Sequence, residues 1–149
     1  MLKDATIELF ERDLNKLIAE INSYLNEEDL WIKTENIPNS AGNLCLHLVG
    51  NLNHYVGATL GNSGYVRKRD EEFSTQNISR NELIERVKNT IEVVKNTINK
   101  LSDNDFEKIY PLQNSGESTK TNLEILKILT HFSYHLGQIN YHRRMLQNG

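Results

Sequence analysis

The stretch that decides the fold is THFSYHLGQINYHRR, which runs from Thr130 to Arg144. Its apolar residues Phe132, Leu136 and Ile139 are spaced by four and three, as on one face of an α-helix. The stretch also holds three of the chain's five histidines. Because histidine is only a mediocre helix former, helix stability does not explain why they collect here.

Helical spacing recurs in three earlier segments of the chain. The first apolar stripe predicts a helix over about residues 2–26, and a second helix runs to about Gly61. Four amphipathic helices without a convincing strand pair predict an all-α protein, a four-helix bundle in one domain over residues 1–149. Cap patterns mark the later helices: Asn39 or Ser40 before the second, Ser79 with Glu82 before the third, Thr121 with Glu124 before the fourth.

Two loops are predicted between these helices. Residues 61–78, GNSGYVRKRDEEFSTQNI, are rich in glycine and charge and show no period, and a second loop covers residues 103–120. A helix of about 22 residues is roughly 33 Å long, and a linker of about 15 residues spans up to roughly 50 Å. The first loop is therefore long enough to carry the chain back along the bundle and make the second and third helices parallel.

Composition excludes several classes of protein. The net charge of −3 argues against a general nucleic-acid binder, which would carry a basic surface. No apolar run reaches the roughly 20 residues of a membrane span, and the charged N-terminal stretch has no signal-peptide core. A single cysteine, Cys45, excludes an internal disulfide and suits a reducing compartment. We expect a soluble, cytoplasmic protein that contacts neither nucleic acid nor membrane.

The histidines of the last helix follow one line on its surface. His135 lies about 40° round the axis and about 6 Å along it from His131, so both rings can reach one metal ion. Gln138 and His142 fall on the same line, but His142 is about 10 Å beyond His135 and too far for the same ion. The same spacing also occurs where histidines are hydrogen-bonded structural residues, so both interpretations stay open.

The second helix repeats the arrangement with His47, Asn51 and His54 on one line. His47 and His54 are about 10 Å apart along the axis, so at most one of them can join the pair on the last helix. A third imidazole would complete a site with open positions, as catalytic divalent metals are commonly held. Neutral imidazole suits zinc, nickel, copper or iron.

The sequence resembles the DinB-like metal-binding four-helix bundles, and most closely a poorly characterised branch of that superfamily. The resemblance is carried by three stretches: NSAGNLCLHLVGNLNHYVGATL, VRKRDEEF and THFSYHLGQI. The resemblance covers nearly the whole chain. It implies up-down-down-up topology, with a long crossover loop between helices 2 and 3, and a homodimer. It also implies that His47, His131 and His135 hold the metal, whereas His54 falls where the family pattern has no fixed ligand.

The resemblance also implies a chemistry. Better-understood relatives use zinc or nickel to activate a low-molecular-weight thiol, such as bacillithiol or mycothiol, for transfer or isomerisation. A divalent cation stabilises a thiolate, or lowers the pKa of bound water so that hydrolysis follows. We therefore expect a metal-dependent transferase or hydrolase with a small-molecule substrate. The alternatives are a non-catalytic, metal-dependent binding or stress-response module and a purely structural bundle.

Four further polar residues lie on the two histidine lines. Asn51 and Gln138 are candidates for hydrogen bonds to a ligand histidine or to substrate, and equally for surface or interhelical hydrogen bonds. His54 and His142 are expected to be exposed polar residues, with the mouth of a pocket as the alternative place for them.

Cys45 and the charged loop complete the set of candidates. Cys45 lies about 200° round the helix from His47, so we expect a core residue rather than a ligand. The loop Arg67–Phe73 is either a solvated segment with weak ion pairs or, as the resemblance implies, a cap on the site or a contact with a second subunit.

Overall fold

The computed structural model of the protein describes residues 2–112 and 116–147, and the regular structure in them is helical. The helices are α1 (Leu2–Ser23), α2 (Ala41–Leu52), α3 (Arg69–Ser74), α4 (Arg80–Asn99), α5 (Asp103–Glu107) and α6 (Thr121–Gln147). A 3-10 turn, Glu27–Trp31, follows α1, and α2 continues through a π-helical segment, Asn53–Ala58, into a last turn, Thr59–Gly61. Within the described ranges β pairing is limited to isolated bridges, so the predicted all-α class is confirmed.

Side-chain caps begin two of the long helices as predicted. Ser40 accepts a hydrogen bond from a backbone N–H in the first turn of α2, and Ser79 does the same for α4. The predicted cap at Thr121 is wrong. Both its hydroxyl and its backbone N–H donate to the carbonyl of Lys108, so Thr121 ties α6 to the preceding segment instead of capping it.

The sequence pattern misplaces one helix end and misses two short helices. α1 ends at Ser23 rather than near residue 26, because the chain turns there and buries Tyr24. Leu25, a member of the predicted stripe, is left 78% exposed. α3 and α5 lie in segments predicted to be loops, and with 6 and 5 residues they are too short for a period to show.

The apolar stripes of the long helices pack into one core. α1 packs against α4 and α6, and α2 packs against the same two helices. Each fully buried side chain of leucine size contributes roughly 1.5–3 kcal/mol. The core includes Phe10, Leu14 and Leu17 of α1, Leu48 and Leu52 of α2, Leu83, Val87 and Val94 of α4, and Ile125, Phe132 and Ile139 of α6.

Within the described ranges, no helix combines the length and apolarity needed to cross a bilayer.

Contacts between neighbouring helices reveal their relative directions. Lys3, at the start of α1, donates a hydrogen bond to a backbone carbonyl at the end of α4, so these two helices run in opposite directions. The side chain of Asn53 donates a hydrogen bond to the Thr90 hydroxyl at 3.0 Å. Farther toward the C-terminal end of both helices, Gly61 lies against Thr97. α2 and α4 therefore run in the same direction, and the connection between them contains α3.

Candidate metal centre

Three histidine side chains from two helices meet in one group, which we call the histidine cluster: His47 of α2 with His131 and His135 of α6. The Nε2 atom of His131 lies 3.2 Å from Nε2 of His47 and 3.1 Å from Nε2 of His135. His47 is buried and the other two are half-buried, so the cluster lies between the core and the surface. The three residues named from the sequence are thus adjacent, in a group that could hold a metal ion.

The spacing of the nitrogens fits a divalent cation bound by all three rings. Tetrahedral zinc binds imidazole nitrogen at roughly 2.0–2.1 Å, which separates two ligand nitrogens by about 3.3 Å. The observed separations of 3.1 and 3.2 Å are close to that value. A donor set of neutral imidazoles also suits nickel, copper or iron, so the geometry favours a transition metal over magnesium or calcium.

Burial keeps His131 and His135 in the form that binds metal. Burial first, and then the neighbouring His135 and His47, together lower the pKa of His131 to about 4. Burial also lowers the pKa of His135, and the hydrogen bond with Gln138 opposes this only in part. Since neutral imidazole is the ligand form of histidine, His131 and His135 carry a free lone pair at neutral pH.

Two hydrogen bonds at Nδ1 fix which nitrogen faces the centre. Nδ1 of His47 lies 3.1 Å from a carboxylate oxygen of Glu72, and Nδ1 of His135 lies 2.7 Å from Oε1 of Gln138. Glu72 and Gln138 are acceptors, and the donor Nη2 of Arg67 is farther from Nδ1 of His47, at 3.3 Å. In each ring Nδ1 therefore donates, and the Nε2 lone pair turns toward His131. One Nε2–H of His131 could satisfy only one of these lone pairs, whereas a shared cation could accept the Nε2 lone pairs of all three rings.

Glu72 is held in its position by Arg67, an arginine with a largely buried side chain. Arg67 donates from Nε to Oε2 of Glu72 at 2.8 Å and from Nη2 to Oε1 at 2.9 Å. Burial alone would raise the pKa of Glu72, but the hydrogen bonds from His47 and Arg67 and the positive charge of Arg67 outweigh it and keep that pKa below its usual value. Glu72 is therefore a charged acceptor that orients His47, as carboxylates do beside many metal-bound histidines.

The segment that carries Glu72 is packed onto the cluster rather than solvated. The side chain of Asn43 donates to the backbone carbonyls of Glu72 and Thr75, which attaches α3 to the start of α2. The ring of Phe73 lies 5.0 Å from the ring of His47. Of the interpretations of the loop Arg67–Phe73, the geometry agrees with the cap on the site rather than the solvated segment, and a contact with a second subunit stays a prediction.

A glycine on α2 makes room for this carboxylate. A Cβ atom added at Gly50 would lie 1.9 Å from Oε2 of Glu72, far inside van der Waals contact. Glu72 and Gly50 are the residues that sequence reasoning missed. The available signal was the run of three acidic residues in RKRDEEF, and helical phase could not assign it because α3 is less than two turns long.

Of the other polar candidates, Gln138 contacts the histidine cluster, whereas Asn51 and His54 do not. Gln138 hydrogen-bonds His135, as predicted for a residue on its line. Asn51 is buried, its side chain forms no hydrogen bond with the described residues, and a contact with substrate stays a prediction. His54 lies outside the cluster, half-buried, with its ring 4.7 Å from that of Tyr55. Burial, with a smaller effect of Arg67, lowers the pKa of His54.

His142 is not the exposed residue that the sequence predicts. It is 4% exposed, with Nδ1 at 2.6 Å from the hydroxyl of Tyr24 and Nε2 at 2.8 Å from the carbonyl of Ile32. Both ring nitrogens are therefore engaged in joining α6 to the end of α1 and the segment after it. Cys45 is fully buried, and burial raises the pKa of its thiol to about 12, so it is the inert core residue that was expected.

Comparison with known proteins identifies a family without assigning an activity. A family described as "Protein of unknown function (DUF1572)" has a sequence model that matches residues 3–149, nearly the whole chain. A search of curated proteins found no match. The chemistry of the site must therefore be argued from the residues themselves.

Proposed function

The chain belongs to the DUF1572 family, and we propose that it is a divalent-metal-binding protein that acts as a metal-dependent enzyme on a small molecule. One observation carries the proposal. Nε2 atoms of His47, His131 and His135 converge, while Nδ1 of His47 and of His135 is held by an acceptor. We propose zinc or nickel as the metal.

We further propose that the fold is a DinB-like four-helix bundle with up-down-down-up topology. The opposed directions of α1 and α4, the shared direction of α2 and α4, and the long connection containing α3 support this topology. A homodimer and a cytoplasmic location are further proposals of the same kind, and sedimentation equilibrium and cell fractionation test them.

A divalent cation bound here would lower the pKa of a thiol or water molecule in an open position and so supply a nucleophile at neutral pH. The protein's contribution is to hold three neutral imidazoles in one orientation. Glu72 sets His47, Gln138 sets His135, and Arg67 keeps the Glu72 carboxylate in place. Three protein ligands leave a fourth position for a reactant, which is typical of catalytic rather than structural zinc sites.

The alternative is a non-catalytic, metal-dependent binding or stress-response module. One feature favours it: the carboxylate nearest the cluster, Glu72, is already engaged by Arg67 and His47 and is not free to act as a general base. This alternative predicts metal binding without turnover of any thiol or ester.

Elemental analysis of protein purified without metal-affinity steps tests the proposal. We expect about one equivalent of zinc or nickel in the wild type and its loss in a His131→Ala, His135→Ala double variant. His54→Ala is the matched control, since His54 lies outside the cluster, and it should keep the metal. If the wild type neither contains nor takes up metal, the cluster is structural and the enzyme proposal fails. Assays of thiol transfer and ester hydrolysis on the loaded protein then separate the enzyme from the binding module.

A further inference from the structure

A cavity of about 280 Å³ lies between α2, α6 and the loop that precedes α2. Leu44 of α2 and Gln138 of α6 both line it. Leu44 is three residues from His47, and Gln138 is three residues from His135. Three residues correspond to about 4.5 Å along a helix, so the cavity begins about one turn from the histidine cluster.

The wall of this cavity combines apolar side chains with the amides of Asn36, Asn39 and Gln138, and it carries no formal charge. None of the described residues that line it is an aspartate, glutamate, lysine or arginine. The one histidine in the wall, His142, has both ring nitrogens engaged within the protein. The wall therefore offers a charged ligand no ion pair, whereas its amides can hydrogen-bond an uncharged polar group. The apolar part of the wall comprises Ile37, Pro38, Leu44, Tyr141 and Met145.

Gln138 links the cavity to the cluster. Its oxygen accepts the hydrogen bond from Nδ1 of His135, and its amide nitrogen carries two N–H donors. Those donors make no hydrogen bond with the described residues. A ligand in the cavity can therefore accept a hydrogen bond from the same side chain that orients a residue of the cluster.

We infer that this cavity binds the uncharged, apolar portion of the substrate, and that Gln138 holds a carbonyl or amide oxygen of it. The inference rests on the proposed function and specifies the substrate class of that site. The volume is near the lower limit of roughly 300–1,000 Å³ for ligand pockets, so it suits one ring with a short polar arm. In this arrangement Gln138 is a positioning residue, and the reactive group of the substrate projects toward the cluster.

Benzamide and benzoate form a matched pair of probes, since they share a shape and differ in charge. We expect metal-free protein to bind benzamide, with amide chemical-shift changes in a ¹H–¹⁵N spectrum around Leu44, Gln138 and Tyr141. Benzoate should bind at least about tenfold more weakly, because the wall offers it no cation. Equal affinity for the two probes, or shifts confined to another part of the protein, would overturn the inference.

Two glutamate substitutions on α6 test the location. Met145→Glu places a carboxylate at the cavity wall and should weaken benzamide binding at least about tenfold. Leu123→Glu makes the same change about 33 Å away along the helix and should leave binding unchanged. Both side chains are largely exposed, at 59% and 46%, so neither variant should unfold. Unaltered binding by Met145→Glu would overturn the inference.

Gln138→Glu tests the role of the N–H donors of this residue. Glutamate keeps an acceptor for Nδ1 of His135 but loses the N–H donors, so benzamide binding should fall, and binding equal to that of the wild type would show that Gln138 does not hold the ligand. If the protein takes up zinc but never binds benzamide, the cavity inference fails and the proposed function stands. If it binds benzamide but takes up no metal, the proposed function fails and the cavity remains a ligand site.

Discussion

Replacing Gly50 by alanine should disturb the candidate metal centre, although Gly50 itself contacts none of its histidines. The effect acts through Glu72, which contacts both Gly50 and His47. The new Cβ would lie 1.9 Å from Oε2 and 2.6 Å from Cδ of Glu72, so the carboxylate would have to move by about 1 Å or more. Its hydrogen bonds to His47 and Arg67 measure 2.8 to 3.1 Å and would not survive such a shift.

The size of the effect follows from two opposed contributions. Alanine is favoured over glycine in a helix by about 1 kcal/mol. Breaking a buried ion pair costs roughly 3–5 kcal/mol, and both Glu72 and Arg67 are buried, with side-chain exposures of 6% and 9%. We therefore expect Gly50→Ala to lower the free energy of unfolding by about 2–4 kcal/mol and Tm by roughly 5–15 °C. Zinc affinity should fall about 10- to 100-fold, because His47 loses its acceptor.

Urea unfolding and zinc titration of a double-mutant cycle with Glu72→Ala measure both effects. In the Glu72→Ala background no carboxylate remains to be displaced, so Gly50→Ala should become mildly stabilising and leave zinc affinity unchanged. Gly137→Ala is the matched control in the wild-type background. A Cβ there meets nothing within 4 Å, so it should stabilise the protein without altering zinc binding. If Gly50→Ala is equally destabilising with and without Glu72, the proposed clash is not the cause.

Three further predictions concern buried groups away from Glu72. Tyr24→Phe leaves Nδ1 of buried His142 without its partner, so urea unfolding should show a loss of about 1–3 kcal/mol, with unchanged metal content. The folded-state pKa of His131, about 4, lies below its unfolded value near 6.5, so metal-free protein should lose stability as pH falls from about 6.5 to 4. In thermal melts across this pH range, His131→Asn should lose less stability than the wild type as pH falls. An equal dependence of stability on pH in the two proteins would contradict the lowered pKa of His131. Cys45, 0% exposed and with a pKa raised to about 12, should react with a thiol reagent in urea but not in the native state.

Sequence periodicity correctly predicted the relative positions of residues within a single helix. The line through His131 and His135 follows from the helical repeat alone, and the structure places their Nε2 atoms 3.1 Å apart. The repeat could not choose between His47 and His54, because both lie on the same line of their helix. The family resemblance made that choice, and it is His47 that joins the cluster.

Contacts between residues far apart in the sequence could not be predicted from the helical periodicity. His142 shares the line of the cluster histidines but is buried, because Tyr24 turns inward where α1 ends and meets it across 118 positions of sequence. Glu72 reaches His47 across 25 positions, from a helix too short to show a period. The capping pattern at Thr121 failed for the same reason, since a carbonyl 13 positions away attracts its hydroxyl.

The balance of charge around the cluster favours a reactive site over a purely structural one. Structural zinc sites commonly use thiolates, whose negative charges offset the cation. In this protein the three residues that could hold the cation are histidines, whose imidazoles bring no negative charge, and the carboxylate behind them, Glu72, is already paired with Arg67. The two positive charges of a bound cation would thus remain uncompensated by the protein. An anion, such as a thiolate or hydroxide, in the open position would supply the compensation, so the residue set favours deprotonation of a bound thiol or water. The uncharged cavity beside Gln138 would add no competing anion, leaving the open position to the nucleophile and the cavity to its uncharged partner.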